Sequence, residues 1–472
     1  MNFKRKFKLK KKILVGVMPI FLLGILSGCT STETSEINIL ATTDLHGEIP
    51  YNLSEYIKEE KKKEPNSILV DAGDFFDIGI GEMGKYFDDR DDYIRQGKEK
   101  HLEVPIANTM KELGYDSVVL GNHEFVANNR FYLDSMISDF EKNKINVLSA
   151  NTYRDSGENY TKPYTIKEVE TENGKVKLGI LGLTIKEVAE AKDIDENGNL
   201  VKAKSRELKD MPGYEGKLYI NDLVDEANKW TKIMKEKEKT DLIVAVVHSG
   251  ERPKKPRNPG NRIQEIAKEV DGIDAIVAGH THKTFKQHDY KNKNGDNVIV
   301  TQPGKHGECI SKITFKLKKD NDKWNVEEKY AELTEFEKDK SDDYAGELYR
   351  EIASIKSGVD QIKMTDITTF KWDKAYVFNS NMTKEKIYEK VGYEWRDIAK
   401  ADKDDALQVV FMDGKKVACY FYCDPELMEI SMHFDKSDFK DNTVEIYKNK
   451  NDKFKVKKGK EDFQTDLTYI SK

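Results

Sequence analysis

Cysteine is scarce in this sequence. There are four in 472 residues, at positions 29, 309, 419 and 423. With Cys29 set aside, three remain, too few for a disulfide framework. Cys419 and Cys423 sit in an apolar, strand-like run, and four residues of extended chain span about 13 Å. That exceeds disulfide reach, so buried thiols are the expectation. Long apolar runs are lacking too. The stretch Ile13–Leu26 would be about 21 Å long as a helix, short of a bilayer core of roughly 30 Å. Seven basic residues between Lys4 and Lys12 precede it, and small residues end it. Charged start, short apolar core and small end read as an export signal. Nothing later in the chain suggests a transmembrane segment. Excess positive charge is also missing. The formal net charge is −6, and loss of the seven cations of residues 1–28, which hold no acid, takes it to −13. Such a surface argues against general nucleic-acid or anionic-membrane binding. An anionic substrate would have to be drawn in by local features. No internal repeat is present.

The end of the apolar stretch is more informative. Leu26-Ser27-Gly28-Cys29 resembles a bacterial lipobox. The resemblance implies cleavage before Cys29, lipidation of its thiol, and an extracytoplasmic protein anchored to the cell membrane of a Gram-positive-type bacterium. A diacyl anchor holds stably because it supplies more than one chain. Residues 29–36 would then be the lipidated cysteine and its tether. From 37 to 335, apolar runs alternate with helical periodicity, which predicts an α/β domain. The runs include Ile37–Thr43, Ser67–Val70, Ser117–Leu120, Ile145–Ala150, Val176–Thr184, Leu242–Val247 and Ala275–Ala278. Helical patterns fall near 102–113, 130–143, 219–237 and 261–270. A linker helix is expected over 336–357. Residues 358–472 read as a smaller α+β domain, with a hairpin around Asp413-Gly414 and aromatics that belong to its core.

Five polar segments each follow a strand-like run: Asp44-Leu45-His46-Gly47, Asp71-Ala72-Gly73-Asp74, Gly121-Asn122-His123-Glu124, His248-Ser249-Gly250 and Gly279-His280-Thr281-His282. In open α/β sheets, ligands bind beyond the carboxyl ends of the strands. The five segments are therefore expected to converge on one rim. Asp, Asn and His are the oxygen and imidazole donors suited to Mn, Fe or Zn. Five of the nine histidines fall in these segments. On an extended chain, residues two apart point the same way, so Asp44 and His46 can share a site, as can His280 and His282.

Taken together and in this order, the segments resemble the calcineurin-like metallophosphoesterase superfamily. Gly121–Phe125, Ser149-Ala150-Asn151 and Val247–Gly250 are similar to its branch of 5′-nucleotidases and 2′,3′-cyclic-nucleotide phosphodiesterases. The resemblance covers about 37–315. It implies an α-β-β-α sandwich of two mixed sheets and two divalent metal ions. One ion would be held by Asp44, His46, Asp74 and His282, the other by Asp74, Asn122, His248 and His280, with Asp74 bridging. By the same resemblance, a metal-bound hydroxide attacks phosphorus, and Asn122 touches the phosphate. His123 stabilises the developing charge and protonates the leaving oxygen.

The chain departs from that pattern twice. Many 5′-nucleotidases place an Asp three residues after the histidine that corresponds to His123; here the position is Val126, which cannot orient it. Glu124 or water is left to compensate. The large carboxy-terminal nucleoside-binding domain of those enzymes has no recognisable motifs after 335. Other candidate substrate or supporting residues are Asn151, Arg252 and His306. Arg252 opens a basic loop that runs to Arg257; His306 lies in Gln302–Gly307, which is similar to a late active-site loop of the superfamily. The expected activity is hydrolysis of nucleotide phosphoesters, cyclic or 3′ first and 5′ second. A non-nucleotide envelope phosphoester and a non-catalytic binding lipoprotein are the alternatives. A nucleic-acid polymer is not an expected partner.

Overall fold

The computed structural model describes residues 34–471 apart from 79–80, 195–199, 253–259, 322, 337–339, 381, 394, 396–397, 399–405, 424, 426–429 and 460–463. The segment read as an export signal, Cys29 and the basic loop beyond Arg252 lie outside the described residues. Among the described residues, no helix is long and apolar enough to cross a membrane.

Two six-stranded mixed sheets form the larger unit. The first carries four parallel strands: β1 (Thr34–Thr42), β2 (Ile68–Asp71), β3 (Ser117–Val119) and β4 (Asn146–Leu148). The second contains β5 (Tyr164–Thr171), β6 (Gly174–Thr184), β7 (Leu242–His248), β8 (Ala275–Ala278), β9 (Thr284–Lys291) and β10 (Asn297–Pro303). There β6, β7, β8 and β10 run parallel, with β5 and β9 antiparallel at the two edges. The chain then returns to the first sheet as the hairpin β11 (Cys309–Asp320) and β12 (Lys323–Glu335), with β11 antiparallel to β1.

Side chains alternate across each strand, so each sheet has two apolar faces to bury. The inner faces meet in one core, where Ile37, Ile39, Val70 and Phe315 oppose Leu178, Val244, Val246 and Val277. The outer face of the first sheet packs Leu40, Leu69 and Val118 against helical residues such as Leu53, Met110 and Met136. The outer face of the second packs Leu183, Ala245 and Val247 beneath Val224, Ala227 and Ile266. This is the expected α-β-β-α sandwich. Every apolar run read from the sequence is a strand, and the four helical patterns are helices at Pro105–Leu113, Arg130–Lys142, Leu223–Ile233 and Ile263–Glu269. The helix Gly81–Arg95 had no counterpart among those patterns.

Residues after β12 build a separate core. The helix expected over 336–357 runs Ser341–Ala353 and contributes Leu348 and Ile352 to that core. Among the described residues, eight strands come after it: β13 (Gln361–Lys363), β14 (Lys374–Asn379), β15 (Leu407–Asp413), β16 (Lys416–Cys423), β17 (Ile430–His433), β18 (Thr443–Tyr447), β19 (Lys453–Lys458) and β20 (Thr465–Tyr469). They form two four-stranded sheets, β13-β19-β20-β17 and β16-β15-β14-β18. Trp372, Tyr376, Phe378 and Trp395 are buried, as core aromatics. Cys309, Cys419 and Cys423 are buried thiols, not half-cystines.

Candidate metal centre

The parallel strands of both sheets end at one edge of the sandwich, and the five polar segments meet there. The loop after β1 supplies Asp44 and His46. The loop after β2 supplies Asp74, and the turn after β3 supplies Asn122 and His123. His248 ends β7, while His280 and His282 come after β8. Their donor atoms gather into two adjoining sets. Asp44, His46 and His282 form one; Asp74, His248 and His280 form the other. His46 and Asp74 also form a third set with His123, which therefore stands between the two.

Backbone geometry makes this convergence possible, though not in the extended form expected. Asp44, His46, Asp74, His280, His282 and His306 all have left-handed φ angles between 50° and 69°. They are half of the twelve non-glycine residues with positive φ among those described. That conformation is costly for residues with a Cβ, and it persists only where the surroundings impose it. Asp44 and His46 thus face one point because the chain turns between them. His280 and His282 face different sets. Glycine completes the packing: a Cβ on Gly121 would stand 2.2 Å from Asp74 Oδ1 and 2.9 Å from His248 Cε1.

The spacings suit divalent cations. His46 Nε2 lies 3.2 Å from His282 Nε2, and that nitrogen lies 3.4 Å from Asp44 Oδ1. In the second set, His248 Nε2 is 3.1 Å from both Asp74 Oδ2 and Asn122 Oδ1, and His280 Nδ1 is 2.8 Å from Asn122 Oδ1. Two donors about 2.1 Å from one ion stand roughly 3.0–3.4 Å apart. The ring orientation also fits. His248 Nδ1 donates to Ala72 O at 2.8 Å, so Nε2 is left to face the cluster. Asp44 and His248 are fully buried, and a buried carboxylate–imidazole cluster of this density needs cationic partners or shared protons.

The electrostatics agree. Burial alone would lower the His248 imidazole, but the Asp74 carboxylate outweighs it and holds it at about 10. Burial and the neighbouring His248 drive His280 down to about 4. Asp74 is held below the usual carboxylate range despite its burial, chiefly by His248.

His123 has a partner that the sequence motifs did not include. Its Nδ1 lies 2.8 Å from Asp77 Oδ2, and the same oxygen lies 3.1 Å from His46 Nδ1. Burial opposes the charge on His123, yet Asp77 and Asp74 raise it to about 9. Its Nε2 points inward, 4.0 Å from Asp74 Oδ2. Asp77 thus supplies the carboxylate that Val126, an exposed side chain, cannot. The available signal was an acid three residues past Asp74, in the same loop.

Glu124 does not compensate in that way. It is buried, and its carboxylate accepts from the N–H groups of Gly121 (2.6 Å), Phe76 (2.9 Å) and Asp74 (3.1 Å). It ties the β2 loop to the β3 turn. Asn151 is buried as well; its amide bonds the backbone of Thr184 at both N–H and C=O and reaches Asn221 O. Arg252 pairs with Glu265 at 3.1 Å. His306 is an exposed rim residue. Its backbone N–H donates to Asp44 O, and its ring lies 5.1 Å from that of His46.

Residues 37–284, just over half of the chain, match the model of the calcineurin-like phosphoesterase family. The trifunctional nucleotide phosphoesterase protein YfkN of Bacillus subtilis is 28% identical over 364 residues, which are 68% of this chain and 23% of that protein. The 2′,3′-cyclic-nucleotide 2′-phosphodiesterase/3′-nucleotidase of Yersinia enterocolitica is 25% identical over 341 residues, 66% of this chain and 47% of the relative. The chain thus spans less than half the length of either. A crystal structure of the calcineurin-like phosphoesterase YfkN superposes with a TM-score of 0.51 at 27% identity, over 64% of this chain and 91% of that one. With the sandwich, the donor sets and the family match in agreement, this chain belongs to the calcineurin-like phosphoesterases.

Proposed function

We propose that the protein hydrolyses nucleotide phosphoesters outside the cytoplasm, at a centre of two divalent ions, as a lipid-anchored enzyme. The observation that carries the catalytic part is the pair of adjoining donor sets with His123 between them. In this reading Asp44, His46 and His282 hold one cation. Asn122, His248 and His280 hold the other, and Asp74 stands between. Such a pair polarises the phosphoryl group and acidifies the attacking water. The chain's own residues do the rest. Asn122, at the start of the turn, contacts a phosphoryl oxygen. His123, oriented by Asp77 through Nδ1, presents Nε2 to the leaving oxygen and delivers its proton. The names of the two relatives support nucleotides as the substrate class. The anchor rests on the Leu26–Cys29 motif.

The test is direct. The chain from residue 30, stripped of metal and reloaded with manganese, is assayed on 2′,3′-cyclic AMP, 3′-AMP and 5′-AMP. Metal-dependent turnover of the cyclic diester and the 3′-monoester, lost in Asn122→Ala, is the expected result. Metal binding without turnover of any nucleotide would overturn the nucleotide assignment. Incorporation of a labelled fatty acid by the wild type but not by Cys29→Ala tests the anchor separately.

A further inference from the structure

Net charge hides one face of the second unit. Strand β19 reads Lys453-Phe454-Lys455-Val456-Lys457-Lys458. Alternation sends Phe454 and Val456 into the core and turns Lys453, Lys455 and Lys457 to solvent. Lys458, on the inward side, is satisfied by Ala353 O and Thr465 Oγ1. The neighbouring strand β13 adds exposed Lys363 to the same face, directly across from Lys453. Lys455 stands opposite Gln361 and Thr468, both neutral, and Lys457 stands opposite Asp466. Asp466 is engaged at 3.7 Å by His433 from the next strand. Among the described residues, none of Lys363, Lys453, Lys455 and Lys457 forms an ion pair.

Like charges directly opposite on antiparallel strands destabilise a sheet. On two other hairpins lysines are matched to acids. On the hairpin β11–β12, Lys316 faces Glu328 at 2.7 Å and Lys318 has Glu327 within 3.6 Å. On β5–β6, Lys175 faces Glu170 at 3.0 Å. Lys363 and Lys453, directly opposite each other, have no such acid among the described residues. Lysine on an edge strand is common as a guard against strand addition, and that accounts for Lys363. It does not account for β19, which is paired on both sides.

We propose that this face docks the second unit on an anionic phosphate surface, the headgroup plane of a membrane that contains acidic lipid. Its chemistry selects that occupant. Ammonium groups at alternate positions stand about 7 Å apart in one plane, which suits an extended layer of phosphates. Among the described residues, no aromatic side chain stands among them to stack on bases, as single-stranded nucleic acid would require. Among the described residues, no apolar side chain projects from the face to enter a bilayer, so contact is electrostatic and peripheral. The proposal deepens the envelope location proposed above, yet its test does not depend on the anchor.

The chain from residue 30, which carries no acyl group, is sedimented with vesicles of phosphatidylcholine alone or with 30% phosphatidylglycerol, at low and high salt. The expected result is at least tenfold stronger partition onto the anionic vesicles, abolished by high salt because the charges are exposed. Replacing Lys363, Lys453, Lys455 and Lys457 by Gln brings it to the neutral-vesicle level without changing metal-dependent phosphoesterase activity. Replacing four exposed lysines of the first unit, Lys62, Lys111, Lys144 and Lys237, leaves most binding intact. The proposal is overturned by equal partition onto both vesicle types. It is overturned equally if both quadruple variants lose binding alike, or if the chain binds soluble polyphosphate or DNA but no vesicle.

Discussion

Asp77 and Glu124 are two carboxylates a few residues from the candidate donors, and their surroundings divide the work between them. Asp77 is half-exposed and touches two imidazoles. Glu124 is buried and touches only backbone. For Asp77→Asn, the amide cannot hold the Nδ1–H tautomer of His123 as a carboxylate does. A loss of roughly 10- to 100-fold is expected on substrates whose leaving oxygen needs a proton. A p-nitrophenyl ester, whose leaving group departs as an anion, should lose less than about threefold by the same argument. Comparing kcat on the two substrates, with metal content measured beside it, checks this; equal losses on both would assign Asp77 to metal retention through His46. For Glu124→Ala, three buried N–H groups lose their acceptor, at about 1–3 kcal/mol each before relaxation. Destabilisation of about 3–5 kcal/mol is therefore expected, read by denaturant unfolding of the metal-free chain. An unchanged midpoint would mean that water replaces the carboxylate. The five motifs were legible in sequence because each couples a donor to a strand end. Asp77 was not, because its role depends on a contact between loops 46 residues apart in the chain.

At the level of elements, strand identity was readable in the seven apolar runs named from the sequence; β10, equally buried on both faces, was not read. The hairpin β11–β12 was not read as strand: its exposed face carries Lys and Glu in alternation, so its apolar signal is half as dense. Left-handed turns were equally invisible. Six donors or rim residues adopt a conformation for which their side chains have no intrinsic preference. Sheet packing, by contrast, leaves a clear mark at Gly182 on β6. A Cβ there would stand 2.4 Å from Leu148 Cβ and about 3 Å from that residue's backbone, so the two sheets touch through a missing side chain. Gly182→Val is expected to wedge β4 from β6 and cost about 1–3 kcal/mol, the range for overpacked cores. The same wedge displaces the β3 turn beside β4, so kcat should fall along with stability. A variant of wild-type stability and activity would show that the sheets have room to part.

Across the whole molecule, the buried clusters divide cleanly. Among the described residues, three belong to the sandwich and two to the residues after β12, and no buried residue joins both. Contact between the units includes a Tyr51–Tyr393 ring pair at 4.3 Å and an ion pair between Lys384 and Glu82 at 2.8 Å, partly exposed. An exposed ion pair contributes about 0–1 kcal/mol, far less than either core. The units are therefore expected to unfold separately. Every donor of the candidate centre lies in the first unit, so a cation that binds only the folded site stabilises that unit alone. Free metal at 100 times its dissociation constant adds about 2.7 kcal/mol. Calorimetry should show two transitions, with manganese raising one and leaving the other in place. Substituting Asn122 and His248 by Ala should remove the metal-dependent rise and leave the metal-insensitive transition where it was. A single transition that moves as a whole with metal would mean that the two cores fold as one, with the second unit coupled to the candidate centre through Tyr51 and Glu82, on the helices that come after the loops of Asp44 and Asp74.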